Sequence, residues 1–189
     1  MKLRTLQITL CLLLASPLAC AAQEKKAAPD PPKPDSAASW PAADPKDVAS
    51  LDSIVAAVYD VISGPAGERN WDRFRSLFTP DGRLIPVVKK PDGTFTHHTL
   101  GVEDYVKNGA EYFRKEGFYE REIARRTEQF GQLAVVFTTY ASRHTPDEKP
   151  FARGINSMTF YNDGKRWYCL SIIWDSERAD NPIPDKYLK

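Results

Sequence analysis

The sequence predicts an α+β domain in which three N-terminal helices pack on a curved antiparallel sheet. Residues Asn70 to Ile85 read as a short amphipathic helix that stops at Pro80-Asp81-Gly82 and runs straight into a strand. An apolar repeat of helical period precedes this stretch, and a third helix follows it. The chain then finishes in long strands joined by tight turns. Helices first and hairpin-joined strands afterwards belong to α+β architecture, whereas strands alternating with helices would argue a parallel sheet.

Each element has a local reason. Asp44-Pro45 is a helix start, with Asp at the cap and Pro at the first helical position. Val48, Leu51, Ile54, Val55, Val58, Val61 and Ile62 recur at helical spacing up to Gly64, which predicts one helix over this span. Asn70 caps the second helix, whose apolar face is Trp71, Phe74, Leu77 and Phe78, and Pro80 ends it. Arg83 to Val88 is the first strand, and Pro91-Asp92-Gly93 turns into a hairpin partner over Thr94 to His98. The third helix opens near Gly101, with Val102, Tyr105, Val106, Tyr112 and Phe113 inward, and closes at Gly117. Strands follow over about 118–129, 132–143, 151–162 and 166–175, with Gly131 and Asn162-Asp163-Gly164 at two of the joins.

Ahead of this domain, residues 1–22 have the layout of a secretory signal peptide. Lys2 and Arg4 form a basic start, Leu6 to Leu14 is mostly apolar, and Ala19-Cys20-Ala21 matches a signal peptidase site. Cleavage after Ala21 or Ala22 delivers the protein to the periplasm or the exterior. The alternative is a lipoprotein anchored through Cys20, although Pro17-Leu18-Ala19 lacks the aliphatic residue wanted three places upstream. Residues 23–44, rich in Pro, Ala, Asp and Ser, form a linker that buries too little to fold. Residues 45–189 then fit one domain with one core. No segment beyond the leader has the length of apolar sequence needed for an integral membrane span.

Cys11 and Cys20 fall in the leader, so Cys169 stands alone in the domain, inside an apolar strand pattern where it reads as a small buried hydrophobe. With Lys+Arg 26 against Asp+Glu 25 the net charge is +1, and loss of Lys2 and Arg4 takes it to −1. That balance leaves no electrostatic footprint for nucleic acid. No ligand spacing for zinc, calcium or magnesium occurs, and no cofactor motif. His97 and His98 point to opposite faces of a strand and make a poor metal pair, while His144 adjoins a loop.

Three stretches carry a resemblance. Leu77-Phe78-Thr79-Pro80-Asp81-Gly82, Gly101-Val102-Glu103-Asp104-Tyr105 and the closing hairpin from Met158 to Asp175 resemble the nuclear transport factor 2-like superfamily, which includes ketosteroid isomerase and the polyketide cyclases. The resemblance spans about Asp47 to Asp175 and implies a cone-shaped roll, also described as cystatin-like, with a pocket between helices and sheet. Phe151 to Ser157, Arg166-Trp167 and Asp180-Asn181-Pro182-Ile183-Pro184 are similar to an uncharacterised bacterial secreted subgroup. Function does not follow, because this scaffold hosts enzymes, binding modules and assembly domains.

Isomerase chemistry would need a carboxylate base on the first strand and two hydrogen-bond donors deeper in the cone. The resemblance places one donor at Tyr59 and the other at Asn156, which can donate but is no acid. The base position falls at or beside Pro86, and proline cannot abstract a proton. Ketosteroid-type isomerisation is therefore not expected.

Strand 118–129 carries Glu120, Arg121, Glu122, Arg125, Arg126 and Glu128 on both faces. It is either a solvated edge strand with cross-strand ion pairs or the wall of an Arg-lined pocket, with Arg143 and Arg153 near. The ligand-binding candidates are Tyr59, Trp71, Tyr112, Tyr140, Arg153, Asn156 and Trp174.

Two readings survive. The favoured one is a secreted or periplasmic domain, without recognisable catalytic machinery or cofactor, that binds a small apolar or amphipathic ligand or forms a homodimer through its open sheet face. The other is a cofactor-independent enzyme of the cyclase or dehydratase kind acting on a small carbonyl compound. There Tyr59 and Asn156 polarise the carbonyl and Glu122 or Asp175 is the base.

Overall fold

The computed structural model describes residues 40–189. The expected leader, its Cys20 alternative and the linker up to residue 39 lie outside the described residues. Trp40, placed in the linker by composition, already packs against the domain core, and its indole N–H donates to the Phe78 carbonyl at 3.0 Å.

The long first helix of the sequence reading is two helices, α1 (Pro45–Val48) and α2 (Leu51–Ile62). Asp44 caps the first by accepting from the Lys46 amide. The break has a local cause: Ser50 accepts from the Ser53 amide while the Ser53 hydroxyl accepts from the Ser50 amide, so a capping box restarts the helix. Helix α3 (Trp71–Leu77) is capped by Asn70, whose side chain accepts from the Arg73 amide. It ends at Leu77 and not at Pro80, because Phe78 is already extended and pairs with Cys169. Arg73 ties the three helices together, with Asp47 of α1 at 2.7 and 3.0 Å and Asp60 of α2 at 2.5 Å.

The strands are β1 (Phe78–Lys89), β2 (Phe95–His97), β3 (Leu100–Gly101), β4 (Tyr119–Phe130), β5 (Leu133–Arg143), β6 (Ala152–Asn162) and β7 (Trp167–Ser176). Helix α4 (Val102–Lys115) lies between β3 and β4. The strands form one curved, open sheet in the order β2-β1-β7-β6-β5-β4, with β3 paired to β1. This is the expected α+β architecture. Within it the β1–β7 pair is parallel and the others are antiparallel, so the sheet is mixed. Three reversals return β7 to lie beside β1, a meeting that element order does not encode. Register shifts between Glu122 and Ala124 and between Thr159 and Phe160 curve the sheet around the helices.

The core lies between the helices and the inner face of the sheet. Ile54, Val55, Phe74, Leu77 and Val102 meet Val136, Met158, Phe160 and Cys169 there, all almost fully buried. Cys169 is free, and burial pushes its thiol well above the ordinary range. The outer face is partly covered by the chain's own C-terminal tail. Glu177 pairs with Arg153 and accepts from the Ile183 amide, Ile183 is buried, and Tyr187 packs on Phe137. Beyond the tail, Leu133 and Val135 stay exposed on that face, and Ile173 is exposed beside the tail. Among the described residues, no helix is long and apolar enough to cross a membrane.

Gly154 sits where β6 passes closest to its neighbours. A Cβ there would lie 2.3 Å from the Asp175 carbonyl and 2.4 Å from the Tyr140 hydroxyl. Gly154→Ala is expected to destabilise the domain by about 1–3 kcal/mol, measured by urea unfolding, and a neutral effect would show that the strands are less tightly juxtaposed.

Candidate ligand-binding cavity

The helices do not fill the inner face of the sheet. A cavity of about 370 Å³ remains beneath α4. Its floor is Leu84 of β1, Met158 of β6 and Ile172 of β7, and its roof is Tyr105, Asn108, Gly109 and Tyr112 of α4. Helix α4 makes this roof because Val102, Val106 and Phe113 sink into the core while small or polar positions stand over the gap. Gly109 helps to keep it open, since a Cβ there would press on the Phe113 ring at 3.0 Å.

Four of the residues singled out from sequence line this cavity: Tyr112, Tyr140, Asn156 and Trp174. Tyr112 is 40% exposed and stands at the mouth. Tyr140 and Asn156 are buried in the wall, and the Tyr140 hydroxyl is 3.3 Å from Ser176 Oγ.

The others lie elsewhere. Tyr59 is behind the wall, with its hydroxyl 2.5 Å from Thr138 Oγ1 and accepting from Asn156 Nδ2 at 3.0 Å. Burial drives its ionisation far above the usual phenol range, so it is a neutral structural group. Trp71 packs edge-on against Phe74 and Phe113, its indole N–H buried without a partner. Arg153 is on the outer face, held by Glu177. Glu122 is gripped by Arg125, which also reaches Asp52 at the start of α2. Asp175 is gripped by Arg178, which holds its carboxyl below the ordinary range, and it borders a second pocket under the C-terminal tail. Neither expected base therefore stands in the cavity, and among the described residues no Arg or Lys lines it. The charged strand β4 is instead the sheet's edge strand, laced by ion pairs.

The carboxylate that does line the cavity is Glu120. It is one of the charges of β4, two residues from Glu122 and on the same face by alternation. Its position is set twice. The Ser63 hydroxyl at the end of α2 accepts from the Glu120 amide at 3.0 Å, and its proton is shared between the Tyr59 carbonyl at 2.7 Å and the Glu120 carbonyl at 3.1 Å. The Ser142 hydroxyl of β5 donates to Oε2 at 2.7 Å. The residue is half-buried, and desolvation pushes its carboxyl up to about 7 against the opposing pull of Ser142. Tyr105, also unanticipated as a site residue, closes the roof with its ring stacked on Phe74 at 5.2 Å.

No group of three or more His, Cys, Asp or Glu suited to a metal occurs among the described residues. His97 and His98 are exposed, and His144 stacks on Phe151.

No family model matches the chain, and no curated protein matches it in sequence. Solved structures do. A protein of unknown function with a cystatin-like fold from Nostoc punctiforme aligns over 68% of this chain and 90% of its own, at 9% identity and TM-score 0.53. An NTF2-like protein of unknown function from Pseudomonas putida aligns over 71% and 90%, at 9% identity and TM-score 0.53. A candidate dehydratase of the NTF2-like family from Streptomyces avermitilis aligns over 70% and 97%, at 15% identity and TM-score 0.51. The chain has the nuclear transport factor 2-like fold. At such identities the likeness concerns the fold alone.

Within this nuclear transport factor 2-like fold, Pro86 lies on β1 opposite Trp174 of β7, and no acid occupies the site expected for an isomerase base. The carboxylate that lines the cavity is Glu120 on β4.

Burial raises the Glu120 carboxyl from its ordinary 4.5 to about 7, so the folded chain keeps a proton there that the unfolded chain releases. This contribution to stability is present in full below the unfolded value and is lost as pH rises through the folded one. The loss is at most on the order of 3 kcal/mol. Glu120→Gln stays neutral throughout, so its stability relative to wild type should rise between about pH 5 and pH 8. Urea unfolding of both proteins checks this, and parallel pH profiles would overturn it.

Proposed function

We propose that this is an exported domain that binds a small, mainly apolar molecule in the cavity beneath α4. The observation that carries the reading is the cavity itself. Its about 370 Å³ falls within the roughly 300–1,000 Å³ usual for ligand pockets. Aromatic and aliphatic walls surround a few polar groups, the composition that confers affinity with orientation. The leader 1–22 and linker 23–44 support delivery to the periplasm or exterior, with lipidation at Cys20 as the alternative anchor. The exposed Leu133, Val135 and Ile173 on the outer face support a homodimer as an additional property.

One observation favours a second reading, a cofactor-independent enzyme of the cyclase or dehydratase kind acting on a small carbonyl compound. Glu120 is a carboxyl poised near neutrality in an apolar cavity, as a general acid or base requires. Tyr59 does not support it, since its hydroxyl is committed to Thr138 and Asn156. Exchange of the α-protons of a small ketone with solvent, abolished by Glu120→Gln, would establish this reading, and absence of exchange would retire it.

The binding reading is tested with N-phenyl-1-naphthylamine, a neutral apolar dye that brightens on leaving water. The mature chain is expected to bind it. Leu100→Trp, which fills the cavity from a partly exposed wall, should weaken binding about ten-fold or more by removing the void. A wild-type protein that leaves the dye dark would sink the proposal.

A further inference from the structure

The cavity has one unanswered charge. Among the described residues Glu120 is the only charged side chain lining it, and no Lys or Arg forms an ion pair with it. Elsewhere the fold matches its enclosed acids with arginines: Asp47 with Arg73, Glu122 with Arg125, Asp175 with Arg178 and Glu177 with Arg153. A carboxylate taken from water without a partner is costly. Ser142 serves Oε2, which leaves Oε1 for another donor.

The surroundings favour one sign of ligand charge. Tyr105, Tyr112, Phe118, Tyr140 and Trp174 share the cavity lining with Glu120. Aromatic faces are negative and attract cations, most strongly where water is excluded. An anionic ligand would meet a like charge and find no basic side chain. A neutral one would leave the group protonated below about pH 7 and an unmatched carboxylate only above it.

We propose that the natural ligand of this cavity is an amphiphilic amine, its apolar body between α4 and the sheet and its protonated nitrogen on Glu120 Oε1 among the aromatic rings. This rests on the cavity being a binding site and adds the chemical class of its occupant. Glu120 thus recognises charge, and Ser142 positions it.

The neighbouring groups leave Glu120 to set the pH dependence. The titratable groups around it are the phenols of Tyr59 on α2, Tyr105 on α4 and Tyr140 on β5, each raised by burial and by the Glu120 charge, and that of Tyr112 on α4, raised by burial, all neutral. Glu122, on the same face of β4, is held by Arg125. Asp60 and Arg121 share a surface groove with Glu120. Asp60 is held by Arg73, and strand alternation sends Arg121 to the opposite face. Asn156 on β6 and Trp174 on β7 do not titrate.

The test displaces N-phenyl-1-naphthylamine from the mature chain with three probes of one shape: phenethylamine, 2-phenylethanol and phenylacetate. At pH 8 the amine should bind roughly ten-fold tighter than the alcohol, and phenylacetate most weakly. With a carboxyl titrating at about 7, the amine's affinity should fall about thirty-fold between pH 8 and pH 5.5 while the alcohol's barely moves. Below pH 7 amine binding should release a proton, read calorimetrically from heats in buffers of different ionisation enthalpy. This last measurement needs no variant. Glu120→Gln, with its fold confirmed by circular dichroism, should lose both the amine preference and the pH slope, whereas Glu122→Gln, outside the cavity, should lose neither. If the dye binds but the amine gains nothing over the alcohol, or Glu120→Gln keeps the preference, the ligand class is wrong and the pocket stands. If neither dye nor probes bind, both fall.

Discussion

One buried hydroxyl fastens the helical layer to the sheet. Tyr59 of α2 meets Thr138 of β5 and Asn156 of β6 through hydrogen bonds, and all three residues are at most 6% exposed. Such bonds are strong where water is absent, and breaking one orphans its partners. They fix how α2 crosses the concave face. Ser63, one turn further on, pins the end of the same helix to the Glu120 backbone. The two attachments hold α2 against β4, β5 and β6, and Val58 and Ile62 of the same helix line the cavity.

The Ser63 attachment also holds the Glu120 backbone at the cavity edge, where loss of solvent raises the proton affinity of its carboxyl. The surrounding charges follow the opposite rule. On β4 and around the tail, carboxylates are clasped by arginines and do structural work: Arg125 joins the edge strand to α2, and Arg153 with Glu177 holds the tail on the outer face. A pairing inside the cavity would have made Glu120 structural too. Among the described residues no basic side chain pairs with Glu120.

Much of the architecture was legible because it is local. The caps at Asp44 and Asn70 and the turns at Pro91–Gly93 and Asn162–Gly164 are short-range chemistry that the surrounding fold did not override. The departures were local as well as non-local. The Ser50–Ser53 capping box splits a helix that hydrophobic periodicity runs together. Phe78 leaves α3 early because pairing with Cys169 on a distant strand outweighs the helical tendency up to Pro80.

The sequence by itself determined element types, most inward faces, the buried Cys169 and an aromatic stock large enough to wall a pocket. Only the tertiary structure decided which acid faces that pocket. Period-two alternation places Glu120 and Glu122 on the same face of β4 and cannot choose between them. The choice depends on depth along the cone, where Arg125 claims Glu122 and Ser142 receives Glu120. Likewise nothing near Tyr59 in the chain announces that its hydroxyl is taken by Asn156, 97 residues away. Capping and periodicity are encoded by neighbours in sequence, whereas enclosure and charge pairing come from residues that meet only once the sheet has curved around the helices.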